Sequence, residues 1–255
     1  PAVDPDNLFF SEWGEGSSNN KYLEIYNAES EEVDLSAYSV SSCSNGCNDG
    51  VNWDYADNVT FETGTIVSAG DVYVVCHGSA DMLIQAECDQ TFTYLSNGDD
   101  VFALTQIGSG VILDMIGTIG DDPGNGWDVC GTADATKDHT LVRKAGITAG
   151  NTGNWEASAG DADECEWVVL EQNDWTYLGS HPHDFSMAGC TDMTACNYDS
   201  GASSDDGSCL YLDCLGECGG SAVVDSCGNC EGNDSECTLI AWATVDISLA
   251  EVGDA

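Results

Sequence analysis

Positive charge is almost missing from this chain. Its 255 residues hold 4 Lys and Arg against 46 Asp and Glu, for a formal net charge of −42. The cations are Lys21, Lys137, Arg143 and Lys144, and none follows position 144. Such a chain cannot neutralise a phosphate backbone, which excludes nucleic acid as a partner. Anionic membrane surfaces are excluded by the same repulsion. Long apolar runs are also missing. No stretch approaches the ~18 uninterrupted apolar residues of a membrane span, so no membrane insertion is expected. Helical periodicity over ten or more residues is absent. So are a Gly-x-Ser-x-Gly elbow, a phosphate loop and a His-Glu-x-x-His pair. Gly108-Ser109-Gly110 reads as a turn between strands. With no acid, base and nucleophile to name, the chain is not expected to be an enzyme. It begins at Pro1 without a charged-then-apolar leader and is expected to be a mature product or a fragment.

What is present begins with apolar residues, 42% of the chain, enough for a core. Short β-rich runs recur through residue 185, among them Leu8-Phe9-Phe10, Val72-Tyr73-Val74-Val75, Val101-Phe102-Ala103-Leu104 and Trp167-Val168-Val169-Leu170. Clusters of Gly, Asn, Asp and Ser punctuate them. Many short strands with such turns predict an all-β sandwich over residues 1–185. Composition shifts near Ser186, and residues 186–237 form an acidic, cysteine-rich module of two short repeats. Residues 238–255 alternate as a terminal β-strand, which must pair with something.

Cysteine is abundant, with 14 in all. Six (Cys43, Cys47, Cys76, Cys88, Cys130 and Cys165) lie in the sandwich segment. Eight more crowd the module: Cys190, Cys196, Cys209, Cys214, Cys218, Cys227, Cys230 and Cys237. This density predicts disulfides and an extracellular, secreted or cell-surface location. Loop length favours Cys43–Cys47, Cys76–Cys88 and Cys130–Cys165. The last eight allow on the order of a hundred pairings, so their connectivity stays open. Zinc is the rival for Cys214-x3-Cys218 and Cys227-x2-Cys230. Zinc ribbons keep ~15–20 residues between pairs, and the gap here is shorter. The sequons at Asn58 and Asn233 mark candidate glycosylation sites.

Several stretches, read in order, resemble the lamin-tail domain. Leu8-Phe9-Phe10-Ser11-Glu12-Trp13 is similar to its opening strand, and Tyr22-Leu23-Glu24-Ile25-Tyr26-Asn27 to its second. Val33-Asp34-Leu35-Ser36-Ala37-Tyr38-Ser39-Val40 and Ile66 to Val75 resemble its following segments. Leu113-Asp114-Met115-Ile116-Gly117, then Thr140-Leu141-Val142-Arg143-Lys144 with Trp155, resemble its ending. The resemblance implies an immunoglobulin-like β-sandwich. The cysteines and acidity are more similar to secreted lamin-tail modules of microbial surface proteins than to nuclear lamins. Gly189 through Cys209, and Asp213 through Cys230, resemble small repeats of secreted surface proteins. Glu24, mid-strand among apolar neighbours, is expected to accept backbone amides in a structural role.

Calcium is the expected cofactor. Asp192, Asn197, Asp199, Asp205 and Asp206 offer hard oxygen donors on a flexible backbone, and Ca2+ takes six to eight such oxygens. Affinity would be about 10⁻⁴–10⁻³ M, as in other extracellular modules. Asp121 to Asp128, and Asn45, Asn48, Asp49 and Asp54, read rather as turns whose side chains cap their own backbone. His181-Pro182-His183-Asp184 reads as a solvated linker, and His77 and His139 as structural. The expected function is a non-catalytic structural or adhesive building block of a surface layer, stalk or filament. Its partners would be copies of itself or other extracellular matrix or surface proteins, with residues 238–255 donated to a neighbour's sheet. The alternative is a carbohydrate- or ligand-binding accessory module of a larger secreted enzyme, with Trp13, Trp53, Trp127 or Trp175 stacking on sugars.

Overall fold

The computed structural model describes residues 7–120, 122–162, 164–183, 188–198, 204–205 and 207–231. The chain divides into two compact units, Pro1–Phe185 and Ser186–Ala255.

In the first unit, β1 (Leu8–Glu15) pairs antiparallel with β2 (Lys21–Asn27). After β3 (Val33–Asp34), the Asp34 carboxylate accepts the Ser36 amide and starts a 3-10 turn over Leu35–Ala37 that delivers the chain to β4 (Tyr38–Cys43). β5 (Tyr55–Thr60), β6 (Ile66–Val67) and β7 (Val72–Cys76) follow. A short helix, α1 (Met82–Glu87), is N-capped by Asp81 and crosses to β8 (Gln90–Thr91), parallel to β7. β9 (Val101–Gln106) and β10 (Ile112–Ile116) make a hairpin through the Gly108-Ser109-Gly110 turn. Last come β11 (Thr140–Arg143), α2 (Trp155–Ala159), N-capped by Asn154, and β12 (Trp167–Leu170).

These strands form the expected sandwich. One sheet has six strands in the order β12-β11-β1-β2-β7-β8, and the other has four in the order β10-β9-β4-β5. Phe10, Trp13, Leu23 and Ile25 of the large sheet meet Val40, Val59, Phe102 and Leu104 of the small one in a continuous core. In β2 the core residues Leu23 and Ile25 alternate with Glu24, because successive side chains of a pleated strand face opposite ways.

β1 departs from simple alternation, and all eight of its positions are buried. Two causes act together. The β1–β2 register shifts between Phe10 and Glu12, so Ser11 is an extra residue, as in a β-bulge. The far face of the large sheet is also covered, by α1 and by the segment 171–183. There Tyr22, Val74, Cys76 and Ile84 form a second small core with Trp175 and Leu178 packed on it. Gly14 lies opposite Tyr22 in the register, and a Cβ at Gly14 would meet the Tyr22 ring at 2.2 Å.

Cys43–Cys47, Cys76–Cys88 and Cys130–Cys165 are bonded, the three pairs that loop length favours. Cys76–Cys88 closes the crossover through α1. Cys130–Cys165 ties the long β10–β11 connection to the segment that leads into β12.

The second unit has little regular structure among its described residues. β13 (Ala188–Gly189) pairs parallel with β14 (Ser204–Asp205). Beyond them the backbone repeats every twelve residues. The amide of Asp213 donates to Glu217 O, and that of Asp225 to Asn229 O. Gly216 N donates to Asp213 O and Gly228 N to Asp225 O. Each Asp Oδ1 accepts two amides, from Leu215 and Glu217 in the first copy and from Cys227 and Asn229 in the second. Gly216 and Gly228 hold φ of 83° and 89°, a left-handed conformation that costs glycine little. Isolated bridges Leu212↔Cys218 and Val224↔Cys230 close each copy.

Disulfides join these pieces in series. Cys190–Cys209 spans Cys196, Cys196–Cys218 spans Cys214, and Cys214–Cys230 spans Cys227. Each of the first two loops therefore encloses the first cysteine of the next. Cys227 is disulfide-bonded too. The zinc reading of Cys214, Cys218, Cys227 and Cys230 is overturned, because their sulfurs are already in covalent bonds. A segment with so small a core needs such cross-links to fold. Cys237, and the strand expected over 238–255, lie outside the described residues.

Candidate functional site

Three regions hold polar groups that the sandwich buries or gathers. The first lies between the sheets. Asp114 on β10 and Arg143 on β11 form an ion pair, and both side chains are fully buried. Asp114 Oδ2 also accepts the Phe10 amide at 2.8 Å, and Oδ1 accepts the Asn151 amide at 2.9 Å. Arg143 donates to Phe10 O, to Ser158 Oγ and to Glu166. Its guanidinium lies 4.0 Å from the centroid of the Trp167 ring. Every charge at this node is answered, so the node is structural. It fastens β1, at its bulge, to β10, β11 and α2. Both residues stand in the stretches that resemble the lamin-tail domain. Their pairing is a long-range contact that no local pattern displays.

The second region is the covered face of the large sheet. Glu12 and Glu24 are direct partners in the β1–β2 register, and both are buried. Ser11 Oγ donates to Glu24 Oε1 at 2.7 Å, and the Gly179 amide donates to Oε2 at 2.6 Å. Glu24 thus accepts a backbone amide, as its place in the sequence suggested. Tyr22 OH donates to Glu12 Oε1, while Glu12 Oε2 is buried without a hydrogen-bond partner. Burial lifts the Glu24 carboxyl to about 7. Burial, and then the nearby Glu24 charge, holds Glu12 well above the usual carboxyl range. Two like charges so close in a dry site cannot both ionise cheaply.

His181 sits at the end of the covering segment, edge-on to Phe9 and Tyr26 at centroid distances of 5.7 and 4.7 Å. It is 6% exposed, which corrects the reading of His181-Pro182-His183-Asp184 as a solvated linker. The aromatic pair Phe9 and Tyr26 buries this imidazole, and burial lowers its pKa to about 4. His183 Nε2 meets the carbonyls of Tyr177 and Ser180. Asp184 lies outside the described residues. A cavity of about 510 Å³ opens beside this face, lined by Leu83, Glu87, Asp174 and Trp175 among others. Neither Glu12 nor Glu24 lines it.

The third region is a cleft of about 460 Å³ on the open side of the sandwich. It lies between β5, the edge strand of the small sheet, and residues 93–95, which follow the edge strand β8 of the large one. Buried Ser42, Cys43 and Phe102 line its inner part, and exposed Tyr55, Thr93 and Tyr94 its mouth. Sequence reasoning passed over it. β5 is polar and exposed along most of its length and carries no alternating apolar signal.

The acids nominated as calcium ligands serve their own loops. Asp192 Oδ1 accepts from the amide and hydroxyl of Thr194, and Oδ2 from Tyr211 OH. Asn197 Oδ1 accepts the Leu210 amide, and its Nδ2 donates to Ser208 O. Asp205 Oδ1 accepts the Gly207 amide. Asp199 and Asp206 lie outside the described residues. Among the described residues no three His, Cys, Asp or Glu side chains converge on a metal position. The other acidic loops are caps as read: Asp122 accepts Gly124 N, Asp128 accepts Asp134 N, Asp49 accepts Val51 N and Asn52 N, and Asp54 accepts Ser44 N and Asn48 N. Asp121 and the second sequon, at Asn233, lie outside the described residues. Asn58 is half-buried on β5, and its amide nitrogen donates to Ser42 Oγ at 2.7 Å.

The tryptophans named as sugar-stacking candidates pack on the protein instead. Trp13 is 2% exposed in the core, and Trp53 and Trp127 lean on it. Trp175 packs on the second small core.

The layers, the strand order and the core define an immunoglobulin-like β-sandwich stapled by disulfides. Residues 1–120 match the family model of the Lamin Tail Domain. That match ends after β10, yet β11 and β12 beyond it complete the large sheet. No curated protein and no solved structure matches the chain.

Proposed function

We propose that this chain is a non-catalytic extracellular structural and adhesive module, a building block of a surface layer, stalk or filament. The observation that carries the reading is the serial disulfide pattern of the second unit. Cross-links that interlock one after another suit a connector that must keep its form with almost no core. Such bonds form and persist in oxidising compartments outside the cytosol. Among the described residues no helix is long and apolar enough to cross a membrane. The resemblance of the cysteine-rich repeats to those of secreted surface proteins supports the same reading.

The polar groups of the sandwich favour scaffold over catalysis. The buried carboxyls hold the chain's own amides and hydroxyls, and the buried cation is matched by carboxylates. Copies of this chain, or other extracellular matrix or surface proteins, are the proposed partners, with β5 and β8 as sheet edges beside the cleft. Localisation and sedimentation of the full chain test the reading. It expects export, resistance to thiol alkylation and assembly into large species. A cytoplasmic, fully reduced monomer would end it.

A further inference from the structure

We propose that the cleft between β5 and residues 93–95 is a binding site for an uncharged carbohydrate, with Tyr55 and Tyr94 as its stacking rings. The inference rests on the adhesive reading above and names the class of ligand for it.

Its volume of about 460 Å³ falls among small-ligand pockets, which run ~300–1,000 Å³. Its lining is graded in the way a sugar requires. Phe102, 1% exposed, and Leu95 give the inner part an apolar surface for C–H faces. Tyr94 is 78% exposed and Tyr55 52%. Both rings therefore offer free faces to a ligand in the cleft. Aromatic faces are apolar bodies on which pyranose C–H groups pack, and a phenol adds a hydroxyl. Tyr94 is held by its own neighbour, with the Phe92 ring edge-on at 6.0 Å.

The lining also holds groups matched to sugar hydroxyls. The Asn58 amide is fixed by its bond to Ser42 Oγ at 2.7 Å. Asp100 lines the cleft, with Oδ1 accepting the Asn45 amide at 3.1 Å. Burial raises the Asp100 pKa, so the carboxyl is short of water and gains from a hydroxyl donor. Ser44 and Thr93 add hydroxyls. No Lys or Arg lines the cleft, and the chain carries a net charge of −42. Sulfated, phosphorylated or uronic ligands would be repelled. A ligand held by positive charge would need no wall of serine, asparagine and exposed tyrosine. The chemistry points to neutral hexose or N-acetylhexosamine units.

The test uses the full chain, oxidised and made in a host that does not N-glycosylate, so that Asn58 is bare. It is applied to a panel of neutral hexose and N-acetylhexosamine oligosaccharides beside sulfated and uronic ones. Binding to members of the neutral set alone is expected. Tyr94→Ala and Tyr55→Ala should each weaken it by about threefold to tenfold, the scale of losing one stacking contact, with the thermal midpoint unchanged because both rings are exposed. Asp100→Asn should weaken it less. Trp175→Ala, on the opposite face of the large sheet, should leave it unchanged. Absence of binding to every neutral glycan, binding confined to anionic ones, or binding indifferent to both tyrosine substitutions would overturn the assignment. A chain that is exported and assembles, yet ignores the panel, would sink this inference alone and leave the structural reading standing.

Discussion

Glu12 and Glu24 face one another across the β1–β2 pair, buried together beneath the segment that carries Gly179. Their protonation makes the fold sensitive to pH. The Glu24 carboxyl rises from 4.5 to about 7 on folding. A raised carboxyl binds a proton in the folded state that the unfolded chain has released. Its stabilising contribution is therefore full below pH 4.5 and is lost as pH climbs through about 7. Glu24→Gln keeps an acceptor for Gly179 N and abolishes the titration. We expect the variant to gain on the wild type by on the order of 3 kcal/mol between pH 4.5 and pH 8. Urea unfolding at several pH values checks it. Parallel profiles for the two proteins would contradict it.

His181 works in the opposite sense. Its pKa falls from 6.5 to about 4 on folding. Its contribution is whole above pH 6.5 and drains away as pH drops through about 4. His181→Gln should flatten the acid side of the stability profile and leave the alkaline side as it is. The same denaturation series, extended to pH 4, reads this out.

Removing one member of the Asp114–Arg143 pair strands the other charge in the core. Arg143→Met should cost about 3–5 kcal/mol, the usual penalty for breaking a buried pair. Replacing both residues with apolar ones of similar size should cost less than that single change. A double-mutant cycle by chemical unfolding measures the difference.

The second unit should tolerate chelation better than reduction. Asp192, Asp205, Asp213 and Asp225 each cap their own loop. We expect a chelator to leave its unfolding transition in place and a thiol reductant to abolish it, while the core of the first unit still unfolds cooperatively. Calorimetry with each additive separates the cases. A midpoint raised several degrees by calcium would mean that the loop with Asp199 and Asp206 completes an ion site.

The sandwich was legible because its inner strands carry strong local signals. The runs at Leu8, Tyr22, Val72, Val101 and Trp167 became β1, β2, β7, β9 and β12. β5 and β8 were not legible, since an edge strand with one solvated face needs no apolar pattern. The three short disulfide loops could be read from spacing, while the interlocked ones beyond Cys190 could not. Asp213 and Asp225 head equivalent turns, but that equivalence lies in backbone hydrogen bonds rather than in hydropathy. His181 looked solvated because its covering rings, Phe9 and Tyr26, are remote in sequence. The cleft went unseen for the same reason: Tyr55, Tyr94 and Phe102 meet only once the two sheets are stacked.

The account depends most on the covalent series in the second unit. Digestion of the exported, unreduced protein after blocking free thiols, followed by mass mapping of linked peptides, tests it most directly. The expected result is Cys190–Cys209, Cys196–Cys218 and Cys214–Cys230, with none of these six cysteines alkylated. Blocked thiols at these positions, or bonds between near neighbours such as Cys214 and Cys218, would contradict it.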